Sequence, residues 1–364
     1  MSRKFQVVVF ALGALAFAYL VAHAGVRGLL RSLEEAKWAL PPIIAVWGVV
    51  YALNTYAWRR LLRITRVAMP DEGEHERDPT TAGEAESSAT IPFFRAYVIS
   101  VASFAINYVT PFVNLGGEPF RIAAATPWVG RSRAAASVAS FRLTHTLAQL
   151  LFWLTSIPLG FLLLPHRGVI IIGLTIIASV LATVVLSLLG LSRRGVAERA
   201  LNALARIPLT RRLAARLEPE RAVFVRVDCE LAALMGPGRP HFVAALAAEF
   251  VGRSVAMLEY LVIARAIGLP VGYLTAFVIG AFSQFVQNIT FFIPLDMGTK
   301  EGGLYLIFQL LRLPPQLGVY AAIVSRLREL AWIAVGLGFV WLSRGGRPDY
   351  ILRYTRSESP SAET

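Results

Sequence analysis

The chain is nearly free of cysteine: Cys229 stands alone among 364 residues. One thiol excludes an internal disulfide and any cysteine-rich metal site. Histidine is also sparse. The five, at positions 23, 75, 145, 166 and 241, have no ligand-like spacing, and no metal is expected. Charge is thin as well. Only 16% of residues are Asp, Glu, Lys or Arg, against about 25% in a soluble domain. The short alternating segments of a transmembrane β-barrel do not occur. No nucleotide-binding loop, nucleophile–base set or cofactor fingerprint is found, so neither a catalytic residue nor a cofactor is expected.

What is abundant is apolar sequence. Hydrophobic residues make up 56% of the chain, and the mean hydropathy is +0.58. Gly168 to Leu191 runs without a charge, as does Leu269 to Leu295. The first is long enough to cross a bilayer as a helix. The reading is an all-α polytopic membrane protein. Spans are expected at Phe5–Ala24, Leu40–Trp58, Ala134–Leu164, Gly168–Leu191, Phe242–Ile267 and Leu317–Leu342. Phe5–Ala24 follows Arg3 and Lys4 like a signal sequence, but its length suits an uncleaved first helix. The 22 residues from Met69 to Thr90 are polar and read as a disordered loop.

The net charge of +13 belongs to the loops rather than to nucleic-acid binding. Arginines 59, 60, 63 and 66 close the second span, and Arg344 and Arg347 follow the last. Ser192–Pro240 holds ten arginines against five acids. That linker reads as cytoplasmic amphipathic helices drawn to anionic inner-leaflet lipid. Arginine-rich loops stay in the cytoplasm, so both termini and this linker are expected inside the plasma membrane.

That rule fails if Phe93–Val113 is a single crossing, because the ten-arginine linker would then face out. It holds if Phe93–Thr126 enters and returns to the same side through a break at Thr110–Glu118. Val271–Leu311 must likewise return, with its break at Pro294–Gly303. The expected fold is therefore about six full spans plus two re-entrant helical hairpins in an inverted-topology repeat. The first half covers about 5–191 and the second about 241–342, with a polar tail at 343–364. The breaks resemble each other. Pro111 precedes Glu118 by seven residues, and Pro294 precedes Glu301 by seven. Each is followed by a helix with an internal arginine, Arg142 or Arg326. Pro111, Gly116, Gly117, Pro294, Gly298 and Gly303 are assigned to the re-entrant breaks. Freed backbone N–H groups at such breaks favour anions.

Charges at membrane depth are functional candidates. Glu118, Arg121, Arg142, Lys300, Glu301 and Arg326 are assigned to substrate binding; cations outnumber acids among them, which suits an anionic head group. Glu249 and Arg253 have the i, i+4 spacing of an ion pair on one helix, and Arg326 and Glu329 the i, i+3 spacing. Glu249, Arg253, Arg328 and Glu329 are read as structural pairs. His145 is read as packed and hydrogen-bonded. Gln284, Gln287, Asn288 and Thr290 are read as interhelical hydrogen-bonding groups. Trp38, Trp47, Trp58, Trp332 and Trp341 are read as interfacial.

The run Gly117-Glu118-Pro119-Phe120-Arg121, the later Arg142, and Pro294 through Glu301 resemble the lysylphosphatidylglycerol synthase transmembrane-region family, also called flippase-like membrane proteins. Phe112 and Val113 stand where the family usually has an extra glycine, and Phe141 where a glutamate commonly precedes the arginine. The resemblance implies a lipid-handling membrane domain without the soluble aminoacyl transferase of the larger relatives. The leading expectation is a transporter of an anionic, aminoacylated or polyprenyl-phosphate-linked lipid. Two other readings remain: an intramembrane head-group transferase, and a non-catalytic partner in an envelope lipid or glycan synthesis complex.

The topology makes a direct prediction. Single cysteines at Leu115 and Gly298, in a Cys229→Ser background, label from opposite sides of the membrane. Labelling of both from one side rules out the inverted arrangement.

Overall fold

The computed structural model describes residues 37–68, 91–109, 117–191, 238–290 and 298–344, with single residues 34, 236, 293 and 296. The expected first span, the loop at 69–90, nearly all of the linker at 192–240 and the tail after 344 lie outside them, as do Pro111, Gly116 and Pro294. Among the described residues every regular element is a helix and no strand forms.

A 3-10 turn at Lys37–Ala39 leads into α1, Leu40–Ala68. Pro41 and Pro42 fall in its first turn, where a missing N–H breaks no helical hydrogen bond. The arginines after Trp58 extend the helix rather than end it, since arginine is a good helix former. α2, Phe93–Val109, and α3, Gly117–Val129, flank the first break. Gly130, with φ 78°, separates α3 from α4, Arg131–Leu163. α5 is Gly168–Leu191, the extent read from the sequence.

The expected span at 242–267 is divided into α6, Arg239–Ala256, and α7, Leu258–Ala266. The cause is local. The Met257 N–H bonds the Ser254 carbonyl at 3.2 Å, three residues back rather than four. The Tyr273 hydroxyl donates to that same carbonyl at 2.7 Å. α8 is Tyr273–Ile289, α9 Thr299–Leu310 and α10 Pro315–Arg344.

Three stretches, Lys37–Arg63, Arg133–Leu163 and Gly168–Leu186, are long and apolar enough to cross a membrane. α2, α3 and α9, at 17, 13 and 12 residues, fall short of the ~20 a crossing needs. Val169, Ile172, Ile176, Val180 and Leu186 of α5 are exposed. A soluble protein rarely tolerates an apolar surface that continuous, whereas lipid is its natural solvent.

Helices of the two halves interleave. α1 lies along α6, α2 along α10, and α8 against α4. Within each half the short helix after the break packs on both neighbours, α3 on α2 and α4, α9 on α8 and α10. Phe152, Met257, Ile263, Phe277, Leu304 and Tyr320 form the centre of the largest apolar cluster.

Small residues set the tightest approaches. A Cβ on Gly336 would lie 2.6 Å from the Ala105 Cβ and 2.7 Å from the Val101 carbonyl, across the α2–α10 contact. Gly338, one turn-face away, meets nothing within 4 Å. Gly336→Ala is therefore expected to lower the thermal midpoint in detergent, at a cost of about 1–3 kcal/mol, while Gly338→Ala leaves it unchanged. Equal effects would contradict this helix contact.

Candidate functional site

The charged side chains expected at one polar site fall into two groups. The first lies where α3 and α4 meet α1 and α6. α3 begins at Gly117 because no other residue fits: a Cβ there would lie 2.2 Å from the Ser103 carbonyl. The Gly117 N–H is capped by the Asn107 side chain at 2.6 Å. One turn of helix then carries Glu118 and Arg121. Glu118 pairs with Arg142 of α4 at 3.2 Å, and the arginine side chain is 56% exposed. The Cζ of Arg121 lies over two rings, 4.9 Å from the centroid of Trp58 and 4.7 Å from that of Phe141. Trp58 is fully buried, and its indole N–H donates to Ser137 at 3.2 Å.

One turn further along α4, His145 shares a 2.7 Å hydrogen bond with the buried Glu249 carboxylate of α6. Asn54 of α1 donates to the other oxygen of Glu249 at 2.8 Å. The i, i+4 spacing of Glu249 and Arg253 is not how these two are satisfied. Arg253 donates to the Gln149 side chain and, at 3.0 Å, to the His145 carbonyl. Gln149 in turn donates to Gln284 of α8 at 3.2 Å. Helix-to-helix partners hold these groups more rigidly than two flexible side chains on one surface.

The second group joins α9 and α10. Gly298, at φ 77°, adopts the left-handed turn that starts α9. Its N–H donates to Glu301 at 2.9 Å. Glu301 is fully buried and receives Arg326 through Nε at 2.6 Å and Nη2 at 3.2 Å. Arg326 also reaches the Asp296 carbonyl at 3.1 Å. Lys300, 3% exposed, donates to Glu329 at 2.5 Å. Glu329 takes a second bond from Tyr108, near the end of α2, at 3.0 Å. The local Arg326–Glu329 pairing suggested by spacing thus gives way to longer-range partners. Arg328 grips Glu259 of α7, with Nη2 3.0 Å from one oxygen, and lies 3.7 Å over the Trp47 ring. The Trp47 N–H donates to Glu259 at 2.8 Å.

Several sequence readings change on this geometry. The N–H groups at Gly117 and Gly298 are bonded by protein side chains, so these two do not await an anion. Gly303 lies inside α9 rather than in the break, and a Cβ there would press on Val286 at 3.2 Å. Its smallness serves helix packing. A cysteine at Gly298 would be strained by the positive φ, so Thr299 is the better labelling position. Trp47 and Trp58 are ring walls whose indole N–H groups donate hydrogen bonds, Trp332 is buried against the Tyr51 ring, and Trp38 and Trp341 are exposed.

Sequence reasoning missed Asn54, Tyr108, Phe141 and Gln149. Asn54, Tyr108 and Gln149 were visible as polar groups inside apolar runs. Phe141 left no such signal.

The order of these pieces matches a known family. A family model described as Lysylphosphatidylglycerol synthase TM region matches residues 6–338. The chain belongs to that family. No curated protein and no solved structure matches it. The family places the chain in a membrane and in lipid-related work. The two Glu–Arg pairs have similar local settings. Glu118 and Glu301 stand in the first turns of α3 and α9, and each meets an arginine on the long helix that follows.

The two pairs differ in environment, which gives a test. Glu301→Gln removes the fully buried partner of the part-buried Arg326 and the cap of α9, at about 3–5 kcal/mol. Glu118→Gln breaks a half-open pair worth at most ~1 kcal/mol. Thermal unfolding should show a large drop for the first and little change for the second. Comparable drops would refute the contrast.

Proposed function

We propose that the chain carries an anionic, aminoacylated or polyprenyl-phosphate-linked lipid between leaflets of the plasma membrane, with both termini in the cytoplasm. The observation that carries this reading is the first charged group. It sets three guanidinium groups in an apolar helical bundle, and one of its ion pairs remains open. Keeping ionic side chains at membrane depth is costly, and a head group that must cross that depth is a reason to keep them. The lipid tails stay in the bilayer while the head group travels along the charged face.

The two helix pairs α2–α3 and α8–α9 act as re-entrant hairpins from opposite sides. Their shortness supports this, as does the exchange of contacts in which α2 packs on α10 and α8 on α4. A two-fold axis in the membrane plane relates such halves in many transporters, with the binding site at their junction. In this scheme Lys300, Glu301 and Arg326 hold the second hairpin against α10, and Glu118, Arg121 and Arg142 meet the substrate. The arginine-rich linker at 192–240 docks on anionic inner-leaflet lipid, and envelope-synthesis proteins are candidate partners.

Reconstitution tests the reading. Proteoliposomes carrying tail-labelled anionic lipid, treated with an impermeant quencher, should lose signal beyond the outer-leaflet half, with lipid mass unchanged. Arg142→Gln should slow the extra loss about tenfold or more, as removal of a charged hydrogen bond does. Chemically altered lipid would point to a transferase instead. No movement and no chemistry would exclude transport.

A further inference from the structure

We propose that Arg121 is the phosphate contact of this site, and that the site is charge-matched to a phosphodiester monoanion rather than to a phosphomonoester dianion. The inference rests on the lipid reading above and adds which residue grips the head group and what charge it must carry.

Arg121 is the odd cation of the set. Arg142 has Glu118, Arg326 has Glu301, Lys300 has Glu329 and Arg328 has Glu259. Arg253 spends two nitrogens on Gln149 and the His145 carbonyl. Among the described residues, Arg121 has no hydrogen-bond acceptor and no carboxylate within ion-pair distance; its contacts are the rings of Trp58 and Phe141. A guanidinium cannot shed its charge, and it carries five N–H donors in a rigid plane. The two rings offer those N–H groups no oxygen acceptor. A planar edge of N–H groups matches two oxygens of a phosphate.

The walls are held in place. Trp58 is fully buried and bonded to Ser137, whose hydroxyl donates to the Ala134 carbonyl at 2.8 Å. Phe141 packs its ring 5.8 Å from that of His145. The arginine is therefore presented ready-made, without the ordering cost of a free surface side chain. The neighbouring Glu118–Arg142 pair is open, so a head group has a way in.

Counting charges names the guest. The first group contains Arg121, Arg142 and Arg253 against Glu118 and Glu249. With His145 neutral, one positive charge is unmatched. The second group sets Lys300, Arg326 and Arg328 against Glu259, Glu301 and Glu329, with the Asp296 carboxyl beside them, and holds no surplus cation. A phosphodiester, with one negative charge, neutralises the surplus in the first group. A monoester dianion would leave a negative charge unmatched.

The test uses the full chain in non-ionic detergent at pH 8.5, titrated with three probes: short-chain phosphatidylglycerol, short-chain phosphatidic acid and inorganic phosphate. The diester is expected to bind most tightly. Arg121→Lys, which keeps the charge but loses the planar fork, should weaken it about tenfold or more. Phe141→Ala should weaken it too, with every charge retained. Should Arg121→Gln fail to fold, those two variants still decide. Unchanged binding by Arg121→Lys overturns the contact. Phosphatidic acid binding as tightly as the diester overturns the charge match. Inorganic phosphate binding as tightly as the diester overturns both the charge match and the lipid source. If the wild type moves lipid in liposomes and Arg121→Lys moves it equally well, this inference falls and transport stands. If the wild type moves none, transport falls, and the titration still reads the Arg121 contact.

Discussion

Taking an ionised side chain out of water costs several kcal/mol even after relaxation, and in this chain the charges of the helical bundle are arranged to meet that cost. Among the described residues, the buried Glu249, Glu259 and Glu301 and the part-buried Glu329 each receive more than one donor. Glu301 has the Gly298 N–H and Arg326; Glu329 has Lys300 and Tyr108; Glu259 has Trp47 and Arg328; Glu249 has Asn54 and His145. The donors come from different helices, so satisfying a charge also fixes how those helices sit. Hydrophobic burial contributes little to helix association within lipid, whose tails are as apolar as leucine. Polar bonds between helices, with close approaches such as Gly336 on Val101, take over that work.

The same constraint explains what could be read from the sequence. Helix class and the extent of α5 followed from a run without charge, and the positions of α4 and α10 from long apolar stretches that carry few charges. That Glu118 and Glu301 each stand in a short helix followed by an arginine-bearing long one was legible from Glu and Arg at matched spacing. Those signals are one-dimensional. Partner choice is not: Glu249 and Arg253 sit one turn apart, yet each is satisfied on another helix. The rule that i, i+4 charges pair describes exposed helices, where water competes and nothing better is near. In a bundle, helix neighbours bring partners that spacing cannot name. Phe141 is the extreme case. It was noted only as a residue standing where a glutamate is usual, and its ring proves to be a wall for Arg121.

That substitution has an electrostatic consequence. A carboxylate at position 141 would stand beside Arg121 and Arg142 and supply the countercharge that the first group lacks. An aromatic ring there gives attraction from its face without a full negative charge. It steadies the guanidinium without supplying an acceptor for its N–H groups. The two groups therefore part company although their Glu–Arg pairs have similar local settings. The second, with no cation in surplus, ties α9 to α10 and, through Tyr108, to the end of α2. Its bonds join helices that are far apart in the sequence. The first keeps one cation in surplus and one pair open, and only a site of that kind gains by admitting an anion. Had neither group held a surplus cation, a head group entering either would have had to break an existing ion pair at membrane depth. A surplus cation, held by rings rather than by acids, removes that barrier.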